Sequence, residues 1–202
     1  MHYKENIMNR RRTPHTQIPP KIEAFTTDEI TNIFKAVKNS EYIVPVVLGL
    51  FAGLREGETL ALRWSDISFE QNTISVTKAI LPFTHEINVP KSIRTIKISP
   101  HLKAFLANTK ERQQKQKELA DDSWQDNIIR NTITNEIETI KDFVNIHPKG
   151  DMLTASDLKR LSTALATQGI KFKFHYLRHT YTTRTLSDEA LQECLGSLLQ
   201  LV

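Results

Sequence analysis

Apolar residues recur at helical spacing from the first stretch that can pack: Ile30, Ile33, Phe34 and Val37 share one face. Thr26 ahead of them and Glu29 behind it read as a capping box, so a helix starts there and ends near Asn39-Ser40. From about Tyr42 the pattern changes. Val44, Val46, Val47, Leu48, Leu50 and Phe51 leave no polar face, and a helix that is apolar all round belongs in the middle of a core. It runs into Gly53-Leu54-Arg55-Glu56-Gly57-Glu58, after which Thr59 to Trp64 predicts another helical turn with Leu60 and Leu62 inward. Ser65-Asp66 is a turn signal. Ile67 to Ile80 then alternates as a strand does, with Ile74 and Val76 between polar neighbours. Residues 81 to 90, with Pro82 and Pro90, predict a loop or irregular hairpin, and Arg94 to Ile98 alternates again before Pro100.

The second half is mostly helical in pattern. His101 to Ala120 packs through Leu102, Phe105 and Leu106 and is charged beyond them. Residues 121 to 145 carry Trp124, Ile128, Ile129, Ile133, Ile137, Ile140 and Phe143 in a spacing that fits helix or strand. His147 to Asp151 is a turn. Thr154 caps a helix with Leu158, Leu161 and Leu165 inward, closed by Gly169, and a last helix follows from Phe174. The sum is an α+β fold, mainly helical, with a small antiparallel β-sheet packed on a helical bundle.

Composition sets outer limits. The chain has 202 residues and a formal net charge of +4. Its pI of about 9.1 favours polyanionic partners. Arg10, Arg11 and Arg12 lie in a polar, proline-bearing lead-in, so residues 1–24 are expected to form a basic linker or arm and residues 25–202 one folded domain. Cys194 is the only cysteine, which excludes a disulfide within the chain and a cysteine-based zinc site. A reducing, cytoplasmic setting is expected. The most apolar run, Ile43 to Leu54, is too short to span a bilayer and is broken by Pro45 and Gly49.

Chemistry concentrates near the C-terminal end. On a helix, His175, Arg178 and His179 stand at i, i+3 and i+4 and project from one side. A guanidinium with fixed donors and two imidazoles on one face suit an anion, although a solvated polar face accounts for the spacing equally well. Upstream, Arg55 leaves an apolar helix beside Glu58, which can hold its guanidinium in one orientation or simply close a helix junction. Lys91 is expected on the last turn of the sheet, where it is either exposed or reaches an adjacent site on its long stem.

Together these segments carry a resemblance. Gly53-Leu54-Arg55-Glu56-Gly57-Glu58-Thr59-Leu60 with Leu62-Arg63-Trp64-Ser65-Asp66-Ile67 resembles the first signature box of the tyrosine recombinases, the integrases of phages and conjugative transposons. Pro90-Lys91-Ser92-Ile93-Arg94-Thr95-Ile96-Lys97-Ile98 is similar to that family's lysine-bearing hairpin, and His175-Tyr176-Leu177-Arg178-His179-Thr180 to its second box. The resemblance implies site-specific DNA integration and recombination. A tyrosine attacks a phosphodiester of double-stranded DNA, and a 3'-phosphotyrosyl link forms and is resolved by a 5'-hydroxyl. No metal or nucleotide cofactor is required, and the intact proteins act as tetramers on DNA. It implies Arg55 and Arg178 on the non-bridging oxygens, His175 as a donor or proton carrier and Lys91 as the acid for the leaving oxygen, with Lys78 as the second choice. Glu58 would brace Arg55, and His179 would support the helix that presents Arg178.

The chain departs from the family pattern after the second box. Leu195-Gly196 is followed by Ser197 where the family has histidine, and none of Tyr3, Tyr42, Tyr176 and Tyr181 fits the nucleophile. The apolar run to Val202 stops before such a tyrosine, and residues 1 to 21 are too few for the family's core-binding domain. The expectation is a catalytic domain cut short before its nucleophile and unable to cleave DNA alone. The alternative is a DNA-binding remnant of an integrase.

Overall fold

The structure is a computed structural model that describes residues 24–183 and Gly196. The expected basic arm, Arg184, Cys194, Ser197 and the apolar run to Val202 lie outside the described residues.

Six α-helices, α1 to α6, are present among the described residues. Helix α1 spans Thr27–Val37 and buries Ile30, Ile33, Phe34 and Val37. Its capping box forms: Glu29 N donates to Thr26 Oγ1 at 3.2 Å, and Thr26 N donates to Glu29 Oε2 at 2.7 Å. Helix α2, Ile43–Phe51, is buried along its whole length. Pro45 is tolerated because it falls in the first turn, where no N–H has an intrahelical partner. Helix α3 is Glu56–Leu60, so the helical turn begins earlier than the Thr59–Trp64 expected. The cause is local: the Glu58 carboxylate reaches back to accept the Arg55 N–H at 2.9 Å and starts the helix there. Helix α4, Pro100–Ala120, has Ser99 as its cap and buries Leu102, Phe105 and Leu106. Helix α5, Ala155–Thr167, starts at a capping box made by Thr154 and Asp157. Helix α6 is Phe174–Thr183.

The strands depart further from expectation. Among the described residues there are two small sheets, not one. Strands β1 (Ile67–Ser68), β2 (Thr73–Val76) and β5 (Arg94–Lys97) form an antiparallel sheet in the order β1-β2-β5. Strands β3 (Ala79–Ile80), β4 (Ile87–Asn88), β6 (Asn127–Asn131) and β7 (Glu136–Ile140) form a second, in which β4 and β6 meet in parallel. The alternation from Ile67 to Ile80 is therefore cut twice. A turn with Asn72 at φ 54° separates β1 from β2, and β3 leaves for the other sheet. Residues 121–145, which fit helix or strand by spacing, contain the antiparallel β6–β7 pair. Lys91 consequently lies in the connection that returns from β4 in one sheet to β5 in the other, rather than at the tip of a hairpin.

Helix α6 is seated in the middle of the domain. Gly49 of α2 faces it so closely that an added Cβ would lie 2.9 Å from Leu177 Cδ1. Leu177 is fully buried. Thr180 Oγ1, also buried, accepts the Phe25 N–H at 2.9 Å, and Phe25 stacks on Phe172 and meets Tyr176 edge-on. The start of the packed chain is thus tied to the helix that carries the second candidate box. No helix among the described residues is long and apolar enough to cross a membrane.

Candidate active site

The site is built where α2 ends. Gly53 takes φ 60°, a left-handed conformation that turns the chain out of the apolar helix. It also lies under the Tyr181 ring, and a Cβ there would come within 2.7 Å of Tyr181 Cε1. A Cβ on Gly57 would sit 2.5 Å from the Ile80 carbonyl oxygen, so α3 presses directly on β3. The two glycines of the first box are therefore required by close approach from α6 and from the second sheet. Between them stands Arg55, with 39% of its side chain exposed.

Glu58 organises the charges. Its side chain is 2% exposed. Arg55 Nη1 donates to Oε1 at 2.8 Å. Arg94, at the start of β5, forks onto the same carboxylate, with Nη1 to Oε1 at 3.0 Å and Nη2 to Oε2 at 2.7 Å. Burial pushes the Glu58 carboxyl upward, but the bonds from Arg94 and Arg55 outweigh it and hold the group down at about 2. Arg178 Nη1 donates to the Gly53 carbonyl, two residues before Arg55. Burial, then the charges of Arg55 and Arg94, lower its affinity for the proton, which places all three guanidiniums in one field. Two guanidiniums on one carboxylate, with a third close enough to feel their charge, leave an excess positive charge that an anion would neutralise.

The α6 face is as the spacing predicts. The His175 and His179 rings stand 5.8 Å apart and nearly perpendicular, one turn apart on the helix. His175 is exposed, while Arg178 and His179 are half-buried. Burial first, then the neighbouring His179 and Lys173, lowers the His175 pKa, so its ring stays neutral to lower pH than an ordinary histidine. A groove beside it is lined by Glu56, Phe83, Lys159 and Lys173. Lys91 is exposed. Lys78, the second choice, is already engaged, with Nζ 3.1 Å from Asp66 Oδ1. Among the described residues no group of His, Cys, Asp and Glu is arranged to hold a metal ion.

The structure thus brings together Arg55, Glu58 and Arg178, places His175 and His179 on the same helix as Arg178, and leaves Lys91 on a neighbouring connection. The phage integrase family model matches residues 23–197. This chain belongs to the phage integrase family. A tyrosine recombinase XerC-like protein of Caldanaerobacter subterraneus subsp. tengcongensis is 32% identical over 203 residues, covering 93% of this chain and 49% of that protein. The chain therefore spans about half the length of the curated relative it matches. A fragment of the Tn1549 transposon integrase in complex with circular intermediate DNA superimposes with a TM-score of 0.60 at 20% identity, over 89% of this chain and 61% of that one. XerA recombinase does so with a TM-score of 0.53 at 17% identity, over 86% and 56%. The fold is that of the tyrosine recombinase catalytic domain.

In this integrase-family chain, Arg94 is the residue that reading along the sequence misses. It was visible only as a polar member of an alternating strand. The signal available was a charged residue in an alternating strand three positions after Lys91, which does not say what it faces.

The depressed carboxyls have a consequence for stability. Glu58 is held at about 2 against an ordinary 4.5, and Asp157, bonded to Thr154 and Arg160, at about 2 against 3.8. Groups whose folded pKa is depressed stabilise the fold above the unfolded pKa, and that contribution is lost as pH falls through the folded one. Resistance to urea is expected to be level above about pH 5 and to fall steadily between there and pH 2. A stability profile flat across that window would contradict the assignment.

Proposed function

We propose that this chain is the phosphodiester-gripping part of a site-specific DNA recombinase, with residues 25–202 as its catalytic domain and residues 1–24 as a basic arm along the DNA. The observation that carries this is the pair of guanidiniums, Arg55 and Arg94, bonded to the buried Glu58 carboxylate, with Arg178 held beside them on the Gly53 carbonyl and net positive charge left over. In this reading Arg55 and Arg178 hold the non-bridging oxygens of one phosphate in double-stranded DNA, where negative charge grows in the transition state. His175, neutral at physiological pH, donates to or takes a proton from the same phosphate. Lys91 protonates the leaving 5'-oxygen, and its freedom from any partner among the described residues, against the engaged Lys78, favours it. Glu58 orients Arg55, and His179 supports the α6 segment bearing Arg178. The chemistry passes through a tyrosyl phosphate and draws on no metal or nucleotide. The partner is duplex DNA in the cytoplasm, assembled with further copies as a tetramer. The DNA held by the Tn1549 integrase of like fold supports the choice of substrate.

A DNA-gripping role without cleavage is the second reading, and the tyrosines favour it. Tyr42 has its phenol pKa raised by burial and by Glu41 and Asp157, Tyr176 is packed on Phe25, and Tyr181 lies over Gly53. None of these three, among the described residues, stands free to attack. Fluorescence anisotropy with a labelled duplex is expected to show affinity that falls steeply as salt is raised. Arg55→Ala and Arg178→Ala should each weaken it severalfold. Affinity indifferent to salt and to both arginines would overturn the DNA reading. With a nicked suicide substrate the 202-residue chain is expected to give no denaturant-resistant protein–DNA band, and a band would discard the second reading.

A further inference from the structure

We infer that Arg94 is a positioning residue that couples the Lys91 connection to the arginine pair, through Glu58 on one side and the Ser92 carbonyl on the other. The inference rests on the DNA reading above, which counts Arg94 only as charge, and adds to it a positioning role for that residue.

The allocation of donors carries the argument. A guanidinium offers five N–H bonds in a rigid plane. Arg94 directs its donors inward, two onto the separate oxygens of Glu58 and one, Nη1, onto the Ser92 carbonyl at 3.2 Å. Arg55 gives Glu58 a single side-chain contact, at 2.8 Å, while its backbone N–H takes Oε2. Both carboxylate oxygens are thus occupied by Arg94 before Arg55 can fork onto them. Arg55 is anchored at one corner and keeps its remaining donors for an outside anion. The exposures agree: Glu58 2%, Arg94 23% and Arg55 39%. Without Arg94, a buried carboxylate with vacant lone pairs would draw the Arg55 guanidinium into a bidentate pair and withdraw it from the surface.

The Ser92 contact extends this to the lysine. Ser92 follows Lys91 in a connection that crosses between two sheets, and β5 continues directly from it. Arg94 therefore fixes the backbone beside Lys91 with the same group that fixes Glu58. A lysine at this place could neutralise Glu58, but a single ammonium cannot span both carboxylate oxygens and a carbonyl in one plane.

The test uses the full chain and inorganic phosphate as probe. Side-chain Nε–H resonances of the arginines are followed by NMR during a phosphate titration, for wild type, Arg94→Lys and Arg94→Gln, with thermal melts alongside. In wild type the Arg55 and Arg178 resonances are expected to shift together. In both variants the Arg55 response should weaken about tenfold, the loss of one well-placed charge-assisted hydrogen bond, while Arg178 still responds. Exchange of the backbone amides of Lys91, Ser92 and Ile93 should quicken in both. Arg94→Lys should melt near wild type, because the charge on Glu58 is still balanced, so a merely structural role would leave its Arg55 response intact. An Arg55 response in Arg94→Lys equal to wild type overturns this inference and leaves the DNA reading standing. A wild-type protein that answers neither phosphate nor duplex overturns both.

Discussion

Glu58→Gln is expected to lower the unfolding free energy by about 2–4 kcal/mol at neutral pH, the range for removing one partner of a buried ion pair, discounted because Arg55 can turn to water. The carboxylate is buried and accepts four hydrogen bonds, one from the Arg55 backbone and three from the Arg55 and Arg94 guanidiniums. Glutamine has nearly the same shape. It supplies one acceptor oxygen instead of two and turns an amide N–H₂ toward a guanidinium. It also removes the negative charge that offsets repulsion among Arg55, Arg94 and Arg178. Urea unfolding measures the loss. The difference from wild type should shrink as pH falls from 4.5 towards 2, because the wild-type carboxyl then becomes neutral as well. Affinity for duplex DNA should not fall in parallel, since the substitution raises the net positive charge. Equal stability of the two proteins at neutral pH would show that Glu58 does not hold the cluster together.

Gly53→Ala is the second large effect. Two penalties add. The left-handed backbone costs a residue with a Cβ about 1–2 kcal/mol, and displacing a packed ring from a filled site costs about 1–3 kcal/mol more. The ring is that of Tyr181, and the same turn offers its carbonyl to Arg178. The steric part belongs to the pair and the backbone part to Gly53 alone. In a double-mutant cycle with Tyr181→Ala, the two substitutions should therefore cost less together than the sum of their separate costs. The shortfall should be about 1 kcal/mol or more, the size of the overpacking relieved. Strict additivity would mean that the ring does not rest on Gly53. Loss of the perch for Arg178 should also weaken the DNA binding measured by anisotropy.

These two positions show what could and could not be read along the chain. The glycines of the first box were visible as places where the backbone turns or is approached. That the approach comes from the Tyr181 ring at Gly53 and from the Ile80 carbonyl at Gly57 depends on contacts across the fold. The pairing of Arg55 with Glu58 was legible because they stand only three positions apart in sequence, within reach of one another's side chains. Arg94 was not, since it meets Glu58 across 36 positions of chain. The apolar spacing over residues 121–145 could not choose between helix and strand, because a half-buried strand pair and a helix can present the same count of isoleucines. The choice was made by β4, whose edge accepts β6 in parallel.

Periodicity and capping are short-range physics, and they were enough for α1, α2, α5 and α6 and for the placing of His175, Arg178 and His179 on one helix. The order of the strands, the crossing of the Lys91 connection between two sheets, the meeting of Arg94 with Glu58 and the approach of Arg178 to the Gly53 carbonyl are long-range. They depend on which surfaces meet when α6 packs against Gly49 of α2 and brings Arg178 to the Gly53 carbonyl, 125 residues away in sequence. A charged side chain carries no mark of its eventual partner, because the energy that selects it exists only once burial has removed water from both.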